Sequence, residues 1–160
     1  VLLEQLRTID KKRLKDKVCH LDAQMSRQGM KALYEAAESM GRKKPELVIL
    51  ENVGNLVCPA EFDTGSDLNL VILSVPEGDD KPLKYPLMFQ VTQAVLINKI
   101  DTKEYFPFDD EAVTRRIHAL NPEAKVFFVS AKTGEGFDEW VRWLAGEVDA
   151  WKAESGASGR

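Results

Sequence analysis

Cysteine is scarce, long apolar runs are missing and basic charge does not dominate, and each shortage excludes a class of protein. Only Cys19 and Cys58 occur, too few for a disulfide framework, and in a reducing cytosol both are thiols free for metal or redox chemistry. No apolar stretch approaches the roughly twenty residues that cross a bilayer, and the amino terminus lacks the basic-then-apolar layout of a signal peptide. The expectation is a cytoplasmic protein with no membrane partner. A formal net charge of -4 offers no clustered basic footprint, so nucleic acid is not an expected partner. What is present is ordinary for a globular domain: 160 residues, 44% hydrophobic and 30% charged, enough chain to bury one real core.

Four short apolar runs stand out: Leu47 to Leu50, Leu70 to Leu73, Ala94 to Ile97 and Val126 to Val129. Continuous apolar runs of this length suit strands buried on both faces of a parallel sheet. Helical patterns surround them. Leu2, Leu3, Leu6 and Ile9 lie at helical spacing in the first stretch, and a second helix runs from about Asp22 to Met40, where Gly41 stops it. A helix is expected from about Asp109 to Leu120, with acidic residues at its start and Asn121-Pro122 at its end, and another from Phe137 to about Trp151. Leu83 to Val91 is a poorer helix because Pro86 interrupts it. The alternation predicts an α/β fold, a mostly parallel sheet with flanking helices. Residues 1–152 form one domain on this reading, and 153–160 a disordered tail.

The chemistry begins at Asn98-Lys99-Ile100-Asp101, placed where a buried strand ends, with Ser130-Ala131-Lys132 closing the next strand. Open α/β sheets bind ligands at the carboxyl ends of their strands. A carboxylate such as Asp101 only accepts, so it can take both the ring N–H and the exocyclic amine of guanine; adenine has no such donor pair on that edge. The Asn98 amide can meet another polar edge of the base and tether neighbouring loops, while the stem of Lys99 lies along the flat ring. The Ala131 N–H is expected to be free for the guanine carbonyl. Together the two motifs point to a GTP-dependent protein.

A second constellation is Cys19-His20 with Cys58. Thiolate and imidazole hold zinc and nickel, and three protein ligands leave a position open, which suits metal transfer better than permanent storage. The spacing matches none of the common zinc motifs, and the plainer reading is Cys58 as a small buried hydrophobe and Cys19-His20 as a loop pair. His118 reads as a partly exposed helical residue rather than a ligand. The charged stretch Glu77 to Lys81 reads as a solvated loop.

The stretches Cys19-His20-Leu21-Asp22-Ala23, Glu51 to Asp63, Glu77 to Pro86 and Asn98 to Asp101 together resemble the hydrogenase nickel incorporation GTPases of the HypB family. The resemblance implies a P-loop GTPase-like domain of the SIMIBI type. It implies a nickel metallochaperone in which GTP binding and hydrolysis control dimerisation and metal release. The cofactors would be GTP or GDP, Mg2+ and Ni2+ (or Zn2+), and the partners the [NiFe]-hydrogenase large subunit and other maturation factors. It also implies a GTP-bound homodimer with Cys19, His20 and Cys58 of each chain at the interface. Asn98, Lys99, Asp101, Ser130, Ala131 and Lys132 would hold the base. Glu51 would sit at a strand end as the catalytic carboxylate that positions water or magnesium; its plainer reading is a loop carboxylate that accepts from nearby backbone.

The sequence departs from the family pattern in one large respect. It contains no Gly-x-x-x-x-Gly-Lys-Ser/Thr loop, the segment that supplies the backbone cradle, the phosphate-binding lysine and the magnesium hydroxyl. The expectation is therefore an amino-terminally incomplete domain, shortened also between Lys17 and Val18, with weak nucleotide binding and negligible turnover. A non-catalytic metal-binding module is the alternative function. The related nickel GTPase of urease fits less well, because its Cys-Pro-His run is here Cys58-Pro59-Ala60.

Overall fold

The computed structural model describes residues 66–157, of 155–157 only the backbone, together with Gln28, Lys31, Ala32, Glu35, residues 38–41, residues 47–49 and Glu51. Three strands, β1 (Leu70–Ser74), β2 (Ala94–Asn98) and β3 (Lys125–Phe128), form a parallel sheet in the order β1-β2-β3. Between β1 and β2 lie two short helices, α1 (Lys81–Lys84) and α2 (Pro86–Gln90), split where Pro86 opens the second. The helix α3 (Asp110–Leu120) joins β2 to β3, and α4 (Phe137–Ala157) follows β3. This is the α/β architecture expected from the alternation of apolar runs.

Both faces of β2 are covered, which explains its unbroken apolar run. On one face Val71, Leu73, Val95 and Ile97 pack with Phe89 of α2 and with Val113 and Ile117 of α3. On the other, Ala94, Leu96, Phe127 and Val129 meet Phe137, Trp140 and Trp143 of α4. The Phe127 and Trp143 rings lie 5.4 Å apart between centroids. The helix α3 starts where the Asp109 carboxylate accepts the Ala112 N–H at 2.8 Å, with Asp110 and Glu111 placed favourably in the first turn. It ends as Asn121 turns extended ahead of Pro122.

Three expectations are corrected. Leu47, Val48 and Ile49 belong to no strand, and Ile49 is 70% exposed. An apolar run becomes a strand only when a neighbour pairs with its backbone, and here the pairing partners of the described sheet are β1, β2 and β3 alone. Helix α4 passes Trp151 and continues to Ala157, into the stretch read as a disordered tail, because no proline interrupts it. The Glu77 to Lys81 segment is not simply a solvated charged loop. Glu77 accepts from the Ser74 N–H at 2.7 Å and from its hydroxyl at 2.5 Å, while Asp79 is clasped by α3. The Asp109 N–H donates to Asp79 Oδ2 at 3.0 Å, and Arg116 Nη1 donates to Asp79 Oδ1 at 2.7 Å and to its carbonyl at 2.8 Å. Of the helix read from Asp22 to Met40, the described positions Gln28, Lys31, Ala32, Glu35, Glu38 and Ser39 are helical and Gly41 lies at φ 65°; Met25, Met30, Leu33 and Ala37, the positions whose spacing could face the core, lie outside the described residues.

The Asp109 N–H, first, and then the Arg116 guanidinium hold the Asp79 carboxyl below its ordinary value near 3.8, against the opposing effects of burial and of Asp80. A lowered folded value means that this group's stabilisation is complete above the ordinary value and is lost as pH falls through the folded one. Asp79→Asn is expected to reduce stability at neutral pH by about 1–2 kcal/mol. In urea titrations the parent and variant curves should converge in acid, below the folded value; a gap that persists unchanged there would remove the ionic part of the account.

Candidate guanine-binding site

Register decides which residues meet. Ser74 pairs with Asn98, and Ile97 with Phe128, so the chain leaves β2 and β3 at the same edge. The Val129 N–H continues the ladder to the Ile97 carbonyl at 2.8 Å, and the Ile100 N–H donates to the Val129 carbonyl at 3.3 Å. The loops after the two strands are thereby held side by side.

Side chains then cross-link them. Asn98 Oδ1 accepts the Lys99 N–H at 2.7 Å and the Ala131 N–H at 3.1 Å. The Ser130 hydroxyl donates to Asp101 Oδ1 at 2.6 Å and accepts the Thr133 N–H at 3.2 Å. Ser130 is fully buried, Asn98 and Asp101 are half-buried, and Lys99, Ala131 and Lys132 are exposed. The Ala131 N–H, expected to be free, is thus already engaged by Asn98. Asp101 keeps acceptor capacity, because each carboxylate oxygen can accept more than one hydrogen bond. Its donor-poor, acceptor-rich character fits the adjacent N–H and amine of a guanine edge.

Backbone conformation supports the same loops. Lys99 has φ 61° and ψ 38°, the one left-handed non-glycine among the described residues. A left-handed lysine costs conformational energy and persists only where its surroundings over-determine it. Here the Thr102 hydroxyl donates to the Lys99 carbonyl at 2.7 Å, and the Thr102 N–H to the same oxygen at 2.9 Å. The Ser130 loop closes on itself: the Ser130 N–H donates to the Glu135 carbonyl at 2.9 Å, and the Gly134 N–H to the Ser130 carbonyl at 2.8 Å. At Gly136 a Cβ would lie 2.0 Å from the Phe128 carbonyl oxygen, so only glycine lets the chain turn there into α4.

The other expected site residues fall elsewhere. Glu51 is exposed and in no regular element; its expected place at a strand end is not realised, because Leu47, Val48 and Ile49 form no strand. Cys19, His20 and Cys58 lie outside the described residues. Among the described residues no group of three or more histidine, cysteine or acidic side chains could hold a metal ion. His118 is exposed on α3, with Nε2 3.1 Å from the Ala124 carbonyl, a contact that closes the α3–β3 turn. Sequence reasoning missed Lys103, which follows the base motif and reaches both α3 and β3, and Gly136, whose signal was the Gly134-Glu135-Gly136 spacing.

Known proteins similar to this chain were found by sequence and by structure. The sequence model of the CobW/HypB/UreG nucleotide-binding domain matches residues 14–128. The hydrogenase maturation factor HypB of Escherichia coli K12 is 44% identical over 128 residues, 80% of this chain and 42% of that protein. The hydrogenase/urease maturation factor HypB of Helicobacter pylori 26695 is 41% identical over 127 residues, 79% of this chain and 51% of the relative. The chain therefore spans about two fifths to one half of the length of these curated relatives. Among solved structures, HypB from Helicobacter pylori in complex with nickel superposes with a TM-score of 0.72 at 38% identity, over 85% of this chain and 62% of that one. The hydrogenase maturation factor HypB from Archaeoglobus fulgidus gives 0.66 at 37%, over 84% and 62%.

The two loop glycines separate steric from conformational requirements. Gly134, at φ 84°, has nothing within 4 Å of a built Cβ, whereas Gly136, at φ 76°, would drive its Cβ into backbone. Gly134→Ala is expected to cost about 1 kcal/mol, and Gly136→Ala about 3 kcal/mol or more. Chemical denaturation of both variants checks this, and equal losses would show that the Phe128 carbonyl yields without cost.

Proposed function

We propose, from the premise that this chain belongs to the CobW/HypB/UreG nucleotide-binding family and within it to HypB, that it carries the guanine-reading part of a GTP-dependent nickel metallochaperone. The observation that carries the reading is the parallel register that sets Asn98 and Asp101 beside Ser130 and Ala131. In this reading Asp101 takes the N–H and amine of guanine, Lys99 covers the ring, and Asn98 with Ala131 meets the carbonyl edge. GTP, when bound, supplies a cleavable phosphoanhydride. The residues of this chain select the base and orient it.

Nickel is the cargo, held in this proposal by Cys19, His20 and Cys58 of two chains in a GTP-bound homodimer. The solved relative named for its nickel complex and the hydrogenase maturation role in the relatives' names support that reading. The receiving partner would be the [NiFe]-hydrogenase large subunit, approached with other maturation factors. GTP hydrolysis would loosen the metal site. Delivery by this route needs a metal affinity that differs between the two nucleotide states.

Two titrations test the halves separately. By calorimetry the chain should bind GDP weakly, in preference to ADP, and Asp101→Ala should lower GDP affinity about tenfold or more with little change for ADP; a variant that binds GDP as well as the parent would overturn the base assignment. Nickel binding should strengthen as pH rises through thiol ionisation, should fail in Cys58→Ala, and should differ between GDP and a non-hydrolysable GTP analogue. Equal nickel affinities in the two nucleotide states would remove the coupling.

A further inference from the structure

Beside the base loop lies a cation that the guanine reading does not use. Lys103 caps the 3-10 turn Ile100–Thr102, its N–H donating to the Ile100 carbonyl at 3.2 Å. Its ammonium pairs with Asp110 Oδ2 at the start of α3, and it also lies 4.9 Å from the centroid of the Phe128 ring. Phe128 is the last residue of β3, two positions before Ser130. One side chain thus touches the loop after β2, the first turn of α3 and the strand that leads into the second base loop. Because Asp110 and Phe128 already engage this ammonium, its contribution to the pocket is indirect.

We propose that Lys103 is a positioning residue of the guanine pocket, holding Asp101 in the orientation that selects guanine; the inference rests on the guanine reading given above. The strained Lys99 begins the loop, and the Lys103 anchor ends it. Between them Asp101 is tied by one side-chain bond, from Ser130. A carboxylate that must meet two donors at once tolerates little displacement, so its supporting contacts decide how well it discriminates. The reverse dependence is also visible. Asp110 Oδ1 is buried without a partner, so the contact of Oδ2 with Lys103 is the side-chain bond that orients this carboxylate. The pair is partly open to solvent, with side-chain exposures of 33% and 45%, and such a pair contributes little to global stability. Its effect is local order at the pocket.

The test compares GDP and ADP titrations of this chain with those of Lys103→Met, Lys103→Arg and Asp110→Asn, with thermal melting of each. Lys103→Met, which keeps the stem and removes the charge, should lower GDP affinity about fivefold, the order of one lost cation–π and ionic anchor, and leave ADP affinity and melting temperature close to the parent. Lys103→Arg should restore most of the loss. Asp110→Asn is the decisive variant: it removes a negative charge, so a purely electrostatic effect on the phosphates would tighten both nucleotides, whereas lost positioning weakens GDP alone. Equal weakening of GDP and ADP in Lys103→Met, or tighter GDP binding in Asp110→Asn, overturns the proposal. A parent chain that shows no preference for GDP overturns the guanine reading and this inference together; a preference that survives Lys103→Met unchanged overturns this inference alone.

Discussion

Pairing of β2 on both of its edges is the constraint on which the rest of the structure depends. Ala94, Val95, Leu96 and Ile97 are all buried, alternately under α2 and α3 on one face and under α4 on the other. A strand so enclosed cannot slip by one residue, since a slip would move every side chain to the opposite face. With β2 locked to β3 through Ile97 and Phe128, the points at which Asn98 and Ser130 leave the sheet are fixed relative to each other. The hydrogen bonds between the loops then form between groups already brought within reach, and cost little further ordering.

The loops contain the left-handed backbone that the sheet lacks. Lys99 in the left-handed region and Gly136 against the Phe128 carbonyl both sit within two residues of a strand end or helix start. Each makes the chain turn sharply at the sheet's carboxyl edge, so that short polar side chains converge instead of fanning into solvent. The Asp79 clasp extends this order to the other side of α3. Through the Asp109 N–H it ties the segment after β1 to the residue that caps α3, and the next residue, Asp110, holds Lys103. The ends of all three strands are therefore linked through the first turn of one helix.

Much of this was legible in the sequence where burial and local chemistry agree. The runs at Leu70, Ala94 and Val126 became strands because each found a partner, and the acidic residues before Ala112 start a helix by a purely local hydrogen bond. The run at Leu47 has the same composition, yet Leu47 to Ile49 pair with nothing in the described sheet; periodicity states that a segment is apolar, and pairing is a property of the whole fold. The charged segment at Glu77 misled for the converse reason. Its charges look solvated in one dimension, and the partners of Asp79, the Asp109 N–H and Arg116, are distant in sequence. Lys103 was invisible for the same cause, since nothing in its neighbourhood announces a ring and a carboxylate from two other elements.

The guanine reading proposed for Asn98 to Asp101 rests on local chemistry and on a mismatch. A carboxylate facing guanine meets two donors, whereas facing the corresponding edge of adenine it meets an acceptor nitrogen, and like dipoles repel. A site built to receive donors rejects a ligand that lacks them, because its own buried polar groups are then left unpaired. In the proposed site Ser130 would sharpen that rejection. Its buried hydroxyl is already spent on Asp101 and on the Thr133 N–H, so it cannot rotate to satisfy a wrong base. The engagement of the Ala131 N–H by Asn98 has the same consequence, since any base carbonyl must share that donor with an amide oxygen that is in place before the ligand arrives. On the proposed reading, selectivity would come from groups committed to one another in advance, and the burial of β2 is what commits them.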